Sequence, residues 1–271
     1  MLSDDMPLAL DRPVVEHDLA LVHGGFLTGQ VTGEGKGAGA LEMVVARSSE
    51  GDSILEQAME GSEFRLGPLP PGAHDVFAFG DGQATETRRA LAGTSGLELS
   101  LLGSREVAVR IEGAGGWIQL VHTDGEHGEE ATQFRASATE GEPATTTLSL
   151  PFGTHSLLAS SDEGGVAFLG HLRLGAEETP PEVRLRLRPG IPCTFVHRAG
   201  SARGELRLRL DGAPVPGMFL FSDGLAPGAS RTLWLPPGEL EAELLVAGRV
   251  AARATRVLRP DEGYRIELTA P

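Results

Sequence analysis

One motif recurs three times along the chain. Leu66-Gly67-Pro68-Leu69-Pro70-Pro71-Gly72 leads into the alternating run Ala73-His74-Asp75-Val76-Phe77-Ala78-Phe79-Gly80. Leu148-Ser149-Leu150-Pro151-Phe152-Gly153 leads into Thr154-His155-Ser156-Leu157-Leu158-Ala159-Ser160, and Leu233-Trp234-Leu235-Pro236-Pro237-Gly238 into Glu239-Leu240-Glu241-Ala242-Glu243-Leu244-Leu245-Val246. The three turn glycines, Gly72, Gly153 and Gly238, stand 81 and 85 positions apart. A period of that length is a domain, not a solenoid unit.

Each copy closes on another alternating segment: Leu97-Glu98-Leu99-Ser100-Leu101, Val183-Arg184-Leu185-Arg186-Leu187 and Tyr264-Arg265-Ile266-Glu267-Leu268. Period-two alternation puts the apolar residues on one face and the charged ones on the other, as in a strand with one buried face. Proline presets φ for a turn and glycine supplies positive φ, so Pro-Pro-Gly reverses the chain into the next strand. The same test marks strands at 41–46, 63–66, 106–111, 117–122, 132–136, 167–172, 205–210, 217–221 and 250–257. Short strands with turn signals at about ten-residue spacing predict antiparallel sandwiches. The best candidate for a helical turn is Ser53–Glu60.

The fold expected is therefore all-β: three tandem small antiparallel Ig-like β-sandwiches, at 23–104, 105–190 and 191–271. Residues 18–31 hold a first strand, or 1–22 form an N-terminal segment that is the tail of a preceding domain. The linkers are short, so the domains are expected to stack end to end.

The motif resembles the carboxypeptidase regulatory-like domain and its relatives with prealbumin-like, Cna-B-like sandwiches. The third copy adds Leu210-Asp211-Gly212-Ala213-Pro214-Val215-Pro216-Gly217-Met218, similar to that family's opening strand-turn-strand. The middle copy departs from the pattern at Phe152. The resemblance implies an architectural module of bacterial exported or surface proteins, without catalytic residues of its own. Cna-B relatives can form Lys-Asn isopeptide crosslinks; this chain has one lysine, Lys36, and no asparagine, so that bond cannot form.

Charge narrows the partners. The formal net charge is -15, which repels phosphate backbones and anionic membranes. The acidity sits in the first two thirds: 6 Lys+Arg face 16 Asp+Glu in 1–104, 7 face 13 in 105–190, and 10 face 9 in 191–271. Protein or polysaccharide is the expected partner class; nucleic acid and membrane insertion are not expected, and no run reaches the length of a membrane span. Met1–Leu21 has neither a basic leader nor an apolar run of signal-peptide length, and an extracytoplasmic place is implied by the resemblance alone.

No nucleophile elbow, Walker loop or His-Glu-x-x-His helix occurs, so neither enzymatic activity nor a cofactor is expected. Gly33-Glu34-Gly35-Lys36-Gly37 lacks the Ser or Thr and the helix of a phosphate loop, and reads as a turn. Lone Cys193 excludes an intrachain disulfide and reads as a small buried hydrophobe. The densest polar stretch, His122-Thr123-Asp124-Gly125-Glu126-His127-Gly128-Glu129-Glu130, offers His122, Asp124, Glu126 and His127 as metal candidates. Its spacing matches no standard calcium or zinc loop, and a solvated hairpin tip is the competing reading. His74 and His155 share one place after the turn glycine, which Leu240 takes in the third copy, and this points to a common packing slot. Trp117 and Trp234 are the candidates for stacking on a ligand, against a competing role in core or interdomain packing. Two functions follow: a structural spacer or display array, or a carbohydrate- or peptide-binding module.

Overall fold

The computed structural model describes residues 24–33, 41–48, 54–59, 61–80, 83–113, 116–124, 130–138, 142–176, 182–198, 202–216, 224–246, 249–260 and 262–269. Regular structure among them is β-strand. The first unit runs through β1 (Gly25–Thr32), β2 (Met43–Ser48), β3 (Ile54–Ala58), β4 (Glu63–Leu69), β5 (Ala73–Gly80), β6 (Gln83–Ala84), β7 (Arg88–Leu91) and β8 (Leu97–Ser100). The second holds β9 (Ser104–Glu112), β10 (Gly116–Asp124), β11 (Glu130–Ala138), β12 (Ala144–Pro151), β13 (Gly153–Ser161), β14 (Gly165–Leu174), β15 (Val183–Arg186) and β16 (Arg188–Pro189). The third holds β17 (Ile191–His197), β18 (Glu205–Leu210), β19 (Ala213–Pro214), β20 (Ser230–Leu235), β21 (Gly238–Val246), β22 (Arg249–Leu258) and β23 (Tyr264–Leu268).

One plan serves all three. The opening strand lies at the centre of a three-stranded sheet, in the orders β4-β1-β8, β12-β9-β15 and β20-β17-β23. It pairs antiparallel with the strand before the Pro-Gly turn and parallel with the closing strand. The facing sheets are built on the antiparallel pairs β2 with β5, β10 with β13, and β18 with β21. The alternation predicted for each strand points its apolar side chains between the two layers. Three separate cores result: one around Leu27, Phe64, Val76 and Leu99, one around Ile111, Leu120, Leu157 and Leu185, and one around Phe195, Leu210, Leu244 and Ile266. This is an all-β chain of three tandem sandwiches.

The Pro-Gly turn does something other than expected. It does not join paired neighbours: β4 pairs with β1, while β5 pairs with β2, β6 and β7. The turn is a corner that carries the chain from one layer of the sandwich to the other, and the same holds for β12 to β13 and β20 to β21. Period-two alternation looks the same whether the next strand continues the sheet or enters the opposite layer, so the pattern alone cannot distinguish the two. The expected glycine conformation is present, with φ of 134° at Gly72, 145° at Gly153 and 154° at Gly238.

The shared histidine slot locks this corner. The carbonyl of Pro70 accepts a hydrogen bond of 2.9 Å from His74 Nε2, and that of Pro151 one of 2.7 Å from His155 Nε2. Both imidazoles are buried. In the third unit buried Leu240 fills the slot, and the corner is held from the end of the paired strand β18 by Asp211 Oδ1, which accepts a bond of 2.8 Å from the Glu239 amide.

A second correction concerns 53–60. Residues 54–58 are strand β3, not a helical turn, and pair antiparallel with β2 from Ile54 opposite Arg47 to Ala58 opposite Met43. Leu, Glu, Gln and Ala favour a helix locally, but the ladder offered by β2 outweighs a propensity of a few tenths of a kcal/mol per residue. The remaining strand expectations agree in place, except 217–221, which lies outside the described residues.

Candidate functional site at the interdomain joints

The polar stretch picked out as a metal candidate divides in two. Asp124 is the last residue of β10, and Glu126 and His127 lie outside the described residues. His122 is not on a hairpin tip: it is an interior residue of β10 and is buried. It meets His155 edge to face, with ring centroids 5.9 Å apart and planes at 77°. Ile118 and Leu120 precede it on the same core-facing side, so strand parity makes it the end of that apolar row. Among the described residues no group of three His, Cys, Asp or Glu is placed to hold a metal.

Cys193 is fully buried in the third core. With only apolar neighbours to receive a thiolate, burial pushes its thiol up to about 11. The folded state therefore keeps the proton longer than the unfolded chain does, and stability falls as pH rises from about 9 toward 11. Thiol reagents at pH 8 are expected to leave the folded chain unlabelled and to modify it at once in denaturant. Rapid labelling of native protein would show that the third core opens.

Trp234 and the departure at Phe152 share a feature: each lies at a junction between units. Between the first two, Phe152 replaces the second proline of the motif. Its amide donates a bond of 2.6 Å to the Gly103 carbonyl, which proline has no N–H to make. Its ring lies so close over Gly103 that a side chain there would overlap it. Leu102 N to Ala84 O at 2.9 Å ties the same segment back to the first unit. Gly153 still has its positive φ, so the corner survives the substitution.

The junction of the second and third units is more extensive. Phe168, on β14, packs against the core cluster of the third unit rather than that of its own. Two positions on, a methyl at Gly170 would stand 2.5 Å from Ala213 Cβ, so glycine allows the two backbones to approach. His171, at φ 58°, places Nε2 3.3 Å from the carbonyl oxygen of Asp211, itself at φ 51°. Trp234 completes the contact from β20. A Gly190 methyl would fall 2.9 Å from Trp234 Cβ, and Gly190 N donates to Gly164 O at 2.9 Å. Trp234 is half exposed, between buried Leu233 and Leu235, and is the outward residue that alternation predicts.

The outer faces carry charged pairs, both across strands and along one segment of chain. Arg253 of β22 pairs with both Glu241 (3.3 Å) and Glu243 of β21. On the second unit, the Arg184 guanidinium hydrogen-bonds Glu182 and holds that carboxyl below its usual range. Apart from Glu243, which is partly buried, these groups are exposed, and exposed pairs add little to stability. They keep the sheets wet and discourage pairing between copies.

No protein-family model matches the chain, and no curated protein matches it. Among the solved structures it is similar to are three of bacterial proteins. BcpA, the major pilin subunit of Bacillus cereus, is 9% identical with a TM-score of 0.26, over 91% of this chain and 99% of that one. A Streptococcal ancillary pilin is 10% identical with a TM-score of 0.23, over 91% and 99%. The Bacillus anthracis TIE protein is 14% identical with a TM-score of 0.23, over 92% of this chain and 50% of that one, so the chain spans half its length. At TM-scores this low the likeness assigns no function, and the fold rests on the strand pairing above. Among the described residues no helix is long and apolar enough to cross a membrane.

Proposed function

We propose that the chain is a non-catalytic spacer or display array, with sandwich domains at 23–104, 105–190 and 191–271 acting as its rigid elements. Its setting in this reading is a bacterial exported or surface protein of carboxypeptidase regulatory-like or Cna-B-like type. The observation that carries the reading is Phe168, a side chain of one sandwich inserted against the core of the next. A joint that shares core residues resists bending, because opening it exposes apolar surface at about 25 cal/mol per Å². A flexible linker has no such term.

The test is the distribution of distances between the second and third domains. Cys193 is buried, so cysteines introduced on the outer faces of β10 and β22 can be labelled selectively for single-molecule energy transfer. A single narrow distance is expected. Phe168→Ala should broaden it and separate the thermal transitions of the two domains, which are expected to coincide in the unsubstituted chain. A broad distribution in the unsubstituted chain would sink the spacer reading, since a floppy array cannot hold what it displays at a set distance.

A further inference from the structure

Single exposed apolar side chains are ordinary. Here, however, the two largest, Trp117 and Trp234, at 62% and 50% exposure, both adjoin one four-residue turn, Ser161–Gly164, between β13 and β14. Trp117 lies beside it in β10: its amide donates to Asp162 Oδ1 at 3.1 Å, and its carbonyl accepts from the Asp162 amide at 3.1 Å. Trp234 reaches it from the neighbouring domain. Three adjoining indole atoms, Cδ2, Cε2 and Cε3, lie 3.9, 4.0 and 4.0 Å from the point a Gly164 Cβ would occupy. Near-equal distances of that size put Gly164 over the flat of the ring, not at its edge. One face of the indole is thus supported by glycine backbone, and half of the side chain remains in solvent.

Asp162 and Gly164 are two residues apart, so the backbone points that the two tryptophans touch are at most about 7 Å apart. The turn between them is held in place. Gly165 N donates to Ser161 Oγ at 3.0 Å, and Gly164 N donates to Ser161 O at 3.1 Å. The polar groups it presents are the carboxylates of Asp162 and exposed Glu163, which accept hydrogen bonds and repel anions.

We propose that this turn and its two tryptophans form a saccharide-binding site spanning the second joint, specific for a neutral polysaccharide. Indole faces stack on the apolar C–H faces of pyranose rings, and carboxylates accept from ring hydroxyls. A net charge of -15 disfavours an acidic polymer. A held turn and a supported indole keep the ordering cost of binding small.

The full chain is run in affinity electrophoresis through gels containing β-glucan, mannan, soluble chitin derivative or polygalacturonate, and neutral hexasaccharides are titrated against intrinsic fluorescence. These two are the chain's only tryptophans, so a change in indole emission, excited where tyrosine does not absorb, reports on this site. Retardation by a neutral polymer is expected, weakened about tenfold or more by Trp117→Ala and by Trp234→Ala. Trp117 stands on an outer face and touches no core, so its loss tests binding without loosening the joint; Trp117→Phe should restore part of the affinity. No retardation in any neutral gel, retardation by polygalacturonate alone, or retardation that survives both alanine substitutions would overturn the site. None of those outcomes bears on the spacer reading, which rests on the distance measurement.

Discussion

Phe195→Ala is expected to destabilise the third domain by about 3–5 kcal/mol. Phe195 is fully buried, in the strand that holds its sheet together: β17 pairs with β20 on one side and β23 on the other, with Arg231 and Ile266 directly opposite Phe195. The cavity would open in the core that Phe195 shares with Leu208, Leu244 and Ile266, side chains fixed by two sheets that cannot both move inward. Against a typical domain stability of about 5–15 kcal/mol, the loss removes a large share. In a domain of this size it lowers the melting temperature by roughly 12 °C or more. Differential scanning calorimetry should also show the second domain following partway down, because Phe168 loses its seat, while the first domain melts unchanged. A loss under about 1 kcal/mol would mean that the core is not packed as described.

Gly29→Ala should be the most damaging change in the first domain. Gly29 lies on β1 directly opposite Leu97 of the parallel strand β8. An alanine methyl there would overlap the Leu97 carbonyl oxygen and come within 2.7 Å of Phe64 Cζ. The obstacle is backbone, which can yield only by breaking the β1–β8 ladder, so the cost lies at or above the upper end of the roughly 1–3 kcal/mol of ordinary overpacking. Gly93→Ala is the control. Gly93 has φ 96° but open space around its Cβ position, so only conformational strain of about 1 kcal/mol applies. Limited proteolysis of the two variants should cut the first domain of Gly29→Ala readily and leave Gly93→Ala near the parent. Equal resistance would show that β8 does not pack on β1 as described.

Much of the architecture was legible because it is local. The rows Glu205–Leu210 and Tyr264–Leu268 alternate without a break, and each is a strand with these bounds. Trp234 between two leucines was readable as outward for the same reason. Residues 54–58 misled, since their helix-favouring side chains say nothing of the β2 ladder that captures them. His122 looked like part of a polar loop until its parity with Ile118 and Leu120 placed it at the end of the core. Phe152 was the one local sign of a joint: a motif that needs Pro-Gly for its corner had given up a proline, and the released amide bonds to Gly103.

What the sequence alone determined is whatever depends on neighbours within a few residues: the three-fold repeat, the strand faces, the positive φ of Gly72, Gly153 and Gly238, and the absence of any Lys-Asn crosslink. The tertiary structure decided what depends on residues tens of positions apart: that the Pro-Gly corner crosses between layers, that β1 lies parallel to β8, that Phe168 serves the next domain's core, and that Trp117 and Trp234 border one turn. Alternation specifies which face of a strand is apolar, but an apolar face carries no label for its partner. The partner is chosen by the shape and hydrogen-bonding edges of segments that meet only when the chain is folded.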